Sequence, residues 1–332
     1  MSQETRIRCF VDFEKDGRQI SHLQLPYSSN VSAYGWIGIP IAVIRNGRGP
    51  TLYLGAGNHG DEYEGQIVLA RLIRELEPGA LQGRLIVMPA QNLPAALAGL
   101  RCSPIDDGNL NRSFPGDPDG PPTAAIAHFI ESVLLPMCDA AVDLHSGGRT
   151  LDYLPSALVR RPPGDDPNAA AKRAALEAFR APIGYIVSDA REDRTLTAAA
   201  DRAGIVGVGT ELGGAGTVSL QTLAVARRGL KNMLRHFGLI EGEPEGPPAR
   251  LTEVKGPEYY VHAPCRGLFE PAFELGDEVE VGQAAGYVHF IDDPATPSVE
   301  VRFRGRGLVI CKRPILQVER GDCLAHLATD LA

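Results

Sequence analysis

The chain has 332 residues, 33 basic against 41 acidic side chains, a formal net charge of −8 and 44% hydrophobic residues. That balance suits a globular protein with one large domain and a smaller one, and the absence of any basic block argues against nucleic acid as a partner. No apolar run approaches the length of a membrane span, and no apolar stretch follows Met1 to Arg6. The six cysteines are scattered without a C-x-x-C pair. A reduced, cytoplasmic setting without membrane contact is the expectation, with Cys102 as a packing residue.

In chain order, residues 36–44 read as a strand and 51–56 as a second apolar strand ending in glycines. From 64 to 77 apolar residues recur at helical spacing (Ile67, Leu69, Ala70, Leu72, Ile73, Leu76) until Pro78-Gly79 stops them. Residues 84–88 predict a strand, Thr123 a cap for a helix through Leu135, and 139–144 a strand closing on His145. An alanine-rich helix over 166–180 follows, then short strands over 183–188 and 205–210. Ser219 opens a long amphipathic helix to about His236. This alternation implies an α/β fold over 1–240: a mixed, mostly parallel sheet with helices on both faces.

Residues 241–250 are polar and rich in proline and glycine, as in a linker between domains. Beyond them helical patterns vanish, so 251–332 reads as an all-β domain. It contains an internal echo: Arg266-Gly267-Leu268 recurs as Arg306-Gly307-Leu308, and Gly276-Asp277 as Gly321-Asp322. Two similar β units suggest a small duplicated sandwich, resembling the barrel-sandwich of biotinyl and lipoyl domains. Those carriers need a lysine on a hairpin tip, and none occurs between Lys255 and Lys312. A carrier role is therefore not expected.

The chemistry concentrates at strand ends, where ligands bind in open α/β sheets. Gly57-Asn-His-Gly-Asp-Glu62 places His59 and Glu62 three residues apart at a loop-to-helix junction, and His145 follows another strand. Two imidazoles and a carboxylate leave a fourth coordination position for water, the pattern of a catalytic zinc site with one ion per chain. An H-x-x-E pair alone is weak evidence; His145 in Asp143-Leu-His-Ser-Gly-Gly148 strengthens it. The same ligands would accept cobalt or nickel. Asp143, on the same strand face as His145, either fixes an imidazole or binds backbone amides. Glu211, in Gly209-Thr-Glu-Leu-Gly-Gly214, is the candidate proton-shuttling base, the bland alternative being a capping or salt-bridged glutamate. Asn111 and Arg112 are the first candidates for holding a substrate carboxylate, Arg101 the second and Arg149 a weaker third. His22, His128, His236, His262, His289 and His326 lack ligand spacing and read as structural or exposed.

With those residues in view, the chain resembles the succinylglutamate desuccinylase/aspartoacylase family, relatives of the zinc carboxypeptidases. The matching strings are G-N-H-G-D-E at 57–62, N-L-N-R-S-F-P-G at 109–116, D-L-H-S-G-G at 143–148 and T-E-L-G-G at 210–214. The resemblance implies a zinc hydrolase that removes an acyl group from the nitrogen of a small amino acid. It implies His59, Glu62 and His145 as zinc ligands, Glu211 as general base, and Asn111 with Arg112 on the substrate carboxylate. One departure stands out: the family arginine expected eight residues before Arg112 is Pro104 here, and Arg101 is the nearest substitute. The string over 92–112 resembles the branch that deacetylates Nα-acetyl-2,4-diaminobutyrate in ectoine breakdown. Competing readings are a carboxypeptidase acting on short peptides, desuccinylase or aspartoacylase specificity, and a metal-binding protein without catalysis. Homo-oligomerisation stays open.

Overall fold

The computed structural model describes residues 5–188 and 190–331. The first strands and helices are β1 (Gly17–Pro26), β2 (Trp36–Asn46), β3 (Thr51–Ala56), α1 (Tyr63–Glu75), β4 (Gly83–Met88), α2 (Leu93–Ala98) and α3 (Pro122–Phe129). Then come β5 (Ala140–Leu144), β6 (Asp152–Tyr153), β7 (Ser156–Arg160), α4 (Ala169–Phe179), β8 (Ile183–Val187) and α5 (Leu196–Arg202). β9 (Val206–Glu211), α6 (Leu220–His236) and β10 (Arg250–Val254) complete this part.

Nine of these ten strands, all but β6, lie side by side in one sheet in the order β1-β2-β4-β3-β5-β9-β7-β8-β10. Its centre is parallel, through β4 on β3, β3 on β5 and β5 on β9, and so are β7 on β8 and β8 on β10. β1, β2 and the β7–β9 pair run antiparallel. β3, β4 and β5 are nearly continuous apolar runs because both sheet faces are covered. Leu52, Leu54 and Ala56 pack with Val68, Leu69, Leu176 and Leu230 of α1, α4 and α6. The intervening Tyr53, with Ile86 and Met88, packs with Ile126, Phe129 and Leu196 of α3 and α5. The helices thus lie on both faces, and the strand period of two sorts the side chains between them.

Ser219 caps α6 as expected, accepting from the backbone N–H of Thr222 while the Thr222 hydroxyl accepts from that of Ser219. Thr123 does not cap its helix. α3 starts at Pro122, and the Thr123 hydroxyl donates instead to Asp106 Oδ1 at 2.8 Å. Nor does the helix run regularly to Leu135: it widens into a π turn over Ile130–Leu134 and tightens over Leu135–Met137. Pro136 explains this, since it has no N–H for the Ser132 carbonyl and its ring crowds that oxygen.

The remaining strands are β11 (Tyr260–His262), β12 (Gly267–Pro271), β13 (Glu278–Val279), β14 (Ala284–His289), β15 (Val299–Arg302), β16 (Gly307–Lys312), β17 (Gln317–Val318) and β18 (Cys323–Asp330). A second, antiparallel sheet runs in the order β15-β14-β12-β17, while β18 lies between β11 and β16 and β16 pairs β13. The recurrent sequence is visible here. Gly267 and Gly307 open β12 and β16, and each short strand, β17 or β13, pairs with the long strand of the other unit. Gly276 and Gly321 take the same left-handed turn, φ +92° and +93°.

The β tail is joined to the large sheet. β10 extends it beside β8, and β18 continues the ladder by setting Thr329 and Asp330 opposite Glu253 and Thr252. Ile183, Tyr185 and Val254 belong to the same apolar core as Phe269, Leu308 and Leu327. The proline-rich stretch therefore precedes a strand that closes onto the large sheet.

Candidate active site

β3, β5 and β9 are parallel neighbours, so their carboxyl ends open on one crevice. The chain leaves β3 at Ala56, turns through 57–62 and enters α1, with Glu62 at the N-cap position. Gly57 has φ +66°, and a Cβ on Gly60 would lie 2.0 Å from the Ala95 backbone. Glycine at these positions lets the turn lie against α2 and aims His59 and Glu62 inward. His145 follows β5, where its backbone N–H donates to Thr210 Oγ1 at 3.0 Å and its carbonyl accepts from the same hydroxyl at 3.1 Å.

The three side chains meet. His59 Nδ1 lies 2.6 Å from Glu62 Oε1, and His145 Nδ1 lies 2.7 Å from Glu62 Oε2. All three residues are buried, and one ligand atom from each falls within 4.8 Å of the others. The outer ring nitrogens are held: His145 Nε2 donates to Asp143 Oδ2 at 2.7 Å and His59 Nε2 to Asn109 Oδ1 at 3.1 Å. Asp143 is fixed in turn by the amides of Asn58 (3.0 Å) and Gln91 (3.2 Å). Of its two readings from sequence, the histidine-orienting one is what the geometry displays.

This donor set fits a cation. With both Nε2–H groups donating outward, each Nδ1 lone pair faces a carboxylate, an arrangement that repels unless positive charge lies between. The titration tendencies agree. Burial favours a neutral Glu62, yet the imidazoles of His59 and His145 hold its carboxyl well below the ordinary range. Burial likewise opposes charge on His145, but Asp143 and Glu62 draw its pKa well above the usual value. A divalent ion between the three residues would supply that charge without a proton.

Glu211 ends β9 and lines the same cavity, of about 350 Å³. Its Oε2 is buried without a hydrogen-bond partner among the described residues. Burial, reinforced by the negative charges of Glu62 and Asp143, pushes its carboxyl up to about 8, against the pull of His145 and Arg101. Arg101 reaches the ligand group directly, with Nη1 3.4 Å from His59 Nδ1 and 3.6 Å from Glu62 Oε1. Arg112 lines the rim, its Nε 3.3 Å from Glu192 Oε2. The Asn111 amide oxygen accepts from the Leu196 N–H at 3.1 Å, leaving its Nδ2 3.4 Å from His145 Nε2. Arg149 is not among the residues lining this cavity, and its backbone N–H donates to Asp61 Oδ2 at 3.0 Å.

Sequence reasoning missed a second group of cavity residues. Tyr153, Tyr185, Tyr260 and His326 also line the cavity, and His326 is only 3% exposed. His326 was expected to be structural or exposed; it is buried and faces the site. No local spacing announces these residues, because they come from four different strands.

Residues 48–237 match the succinylglutamate desuccinylase/aspartoacylase catalytic domain. Over 327 residues, 97% of this chain and 94% of the relative, the sequence is 43% identical to N-alpha-acetyl-L-2,4-diaminobutyric acid deacetylase of Halomonas elongata. A crystal structure described as succinylglutamate desuccinylase/aspartoacylase from Rhodobacter sphaeroides superposes with TM-score 0.93 at 42% identity, covering 99% of this chain and all of that one. The product-bound ectoine utilization protein EutE (DoeB) of Ruegeria pomeroyi gives TM-score 0.94 at 41% identity, covering 98% and 99%.

Proposed function

The chain belongs to the succinylglutamate desuccinylase/aspartoacylase family and hydrolyses the amide bond of small N-acyl amino acids, and from that premise we propose Nα-acetyl-2,4-diaminobutyrate as its substrate. The observation that carries the substrate is the 43% identity to a deacetylase of that compound along almost the whole of both chains. We assign one zinc ion to His59, Glu62 and His145, a cytoplasmic setting, and the roles that follow.

Zinc bound there supplies Lewis acidity and lowers the pKa of water. The protein does the rest. Arg112, with Asn111 beside it, holds the α-carboxylate of the amino acid at the rim, where a guanidinium fork matches a carboxylate. Arg101 takes over the charge-stabilising role of the arginine missing at Pro104, since it is the cation nearest the ligand group. As the amide carbon is attacked, Arg101 stabilises negative charge on the former carbonyl oxygen. Glu211 accepts a proton from the attacking water and returns it to the nitrogen as the C–N bond breaks, giving acetate and the free amine. A carboxyl raised toward neutrality suits both halves of that transfer.

The test is a panel of Nα-acetyl-2,4-diaminobutyrate, N-acetylaspartate, N-succinylglutamate and simple dipeptides, followed by amine release on the zinc-loaded enzyme. The highest kcat/KM should fall on the first compound. Preference for the dipeptides would turn the reading toward a carboxypeptidase, and preference for the succinyl compound toward a desuccinylase.

A further inference from the structure

One wall of the cavity is a row across four strands. Strand register sets Tyr153 of β6 opposite Cys311 of β16, Cys311 opposite His326 of β18, and His326 opposite Tyr260 of β11. Opposed residues on adjacent strands share a face, so the row turns Tyr153, His326 and Tyr260 toward the cavity, joined by Tyr185 of β8. The His326 ring stacks on Tyr260 (centroids 4.3 Å, 11° between planes) and meets Tyr153 and Tyr185 edge-on at 6.1 Å. The rings hold it in place. Yet both its ring nitrogens are buried and make no hydrogen bond among the described residues. Buried polar groups are rarely left unpaired, and one that lines a ligand cavity calls for a ligand.

Resting on the deacylase reading, we propose that Tyr153, Tyr185, Tyr260 and His326 form the subsite for the substrate side chain, with His326 accepting a hydrogen bond from its terminal ammonium. An ammonium carries three donors and no acceptor, so it needs neutral or anionic acceptors. The row offers an imidazole lone pair and phenolic oxygens among aromatic rings, which attract cations. A carboxylate would fit poorly. Arg101 and Arg112 stand by the metal ligands and the rim, and Arg160, which also lines the cavity, is engaged by the Ala190 and Glu192 carbonyls and Asp201. Burial also pushes the His326 imidazole down to about 3, so it stays neutral beside a cation.

The experiment compares kcat/KM for Nα-acetyl-2,4-diaminobutyrate with that for Nα-acetyl-2-aminobutyrate, the same skeleton without the amine. Wild-type holoenzyme should favour the diamino compound roughly a hundredfold or more, because a site built to bond a polar group rejects the analogue lacking it. His326→Phe keeps a ring on Tyr260 but removes both nitrogens, and it should lower that ratio at least about tenfold. A wild-type ratio near one, or an unchanged ratio in the variant, overturns the proposal. If the wild type hydrolyses neither compound, the deacylase reading itself fails. Should His326→Phe not fold, calorimetry on wild-type holoenzyme decides: 2,4-diaminobutyrate must bind more tightly than 2-aminobutyrate, and equal binding overturns the subsite.

Discussion

The two walls of the cavity treat histidine in opposite ways. On the metal wall, His59 and His145 are tied at their outer nitrogens to Asn109 and Asp143, and their inner nitrogens converge on Glu62. On the tyrosine wall, His326 is packed among aromatic rings, and both its nitrogens are unpaired among the described residues. One wall is preorganised by hydrogen bonds to receive the cation proposed for it. The other is preorganised by shape, with its hydrogen-bonding capacity held open. Burial alone therefore says little about a histidine's task; the state of its nitrogens says more.

The contrast can be broken experimentally, and the largest effect belongs to the metal wall. His145→Ala should bring both zinc content and turnover to background, measured by metal analysis and amine release, while a variant that still binds one ion and turns over would remove His145 from the ligand set. Glu211→Gln should retain zinc yet lose roughly 10²- to 10⁴-fold in kcat. Full turnover in that variant would show that another group moves the proton. Asp143→Asn should weaken zinc binding by roughly 10- to 100-fold, read by competition with a chelator, because the amide fixes His145 less firmly than the carboxylate.

The smallest effect is on stability. In chelator-treated protein, Glu211 titrates near 8 when folded and at an ordinary carboxylate value when unfolded. Between those values the folded state binds the extra proton, so this residue makes stability fall as pH rises through that window. Thermal unfolding at several pH values should show the fall in wild type and a flatter profile in Glu211→Gln. Parallel profiles would mean that Glu211 is better solvated than its surroundings indicate.

The same contrast explains what the sequence could disclose. The metal wall is legible because its residues sit in short strings at strand ends, where spacing alone restricts geometry. Strands 51–56 and 84–88 and the helix after Ser219 were likewise readable, since apolar period and cap chemistry are local signals. β1, β6 and β7 were not, and β6 is only two residues long. Thr123 looked like a cap until Asp106, seventeen positions away, claimed its hydroxyl. The tyrosine wall was the least legible part, because Tyr153, Cys311, His326 and Tyr260 become neighbours only through the register of β6, β16, β18 and β11.

β18 carries His326 near its middle and pairs with β10 near its far end. A parallel sheet that stopped at β10 would present bare amides and carbonyls along its outermost strand, an invitation to intermolecular pairing. The segment that furnishes a selective imidazole thus also shields an exposed flank from aggregation. Exchanging the tail for that of a relative with different tastes would place colloidal behaviour and substrate choice under the same constraint, and a graft that spoiled the Thr329 and Asp330 pairing would clump before its specificity could be assayed.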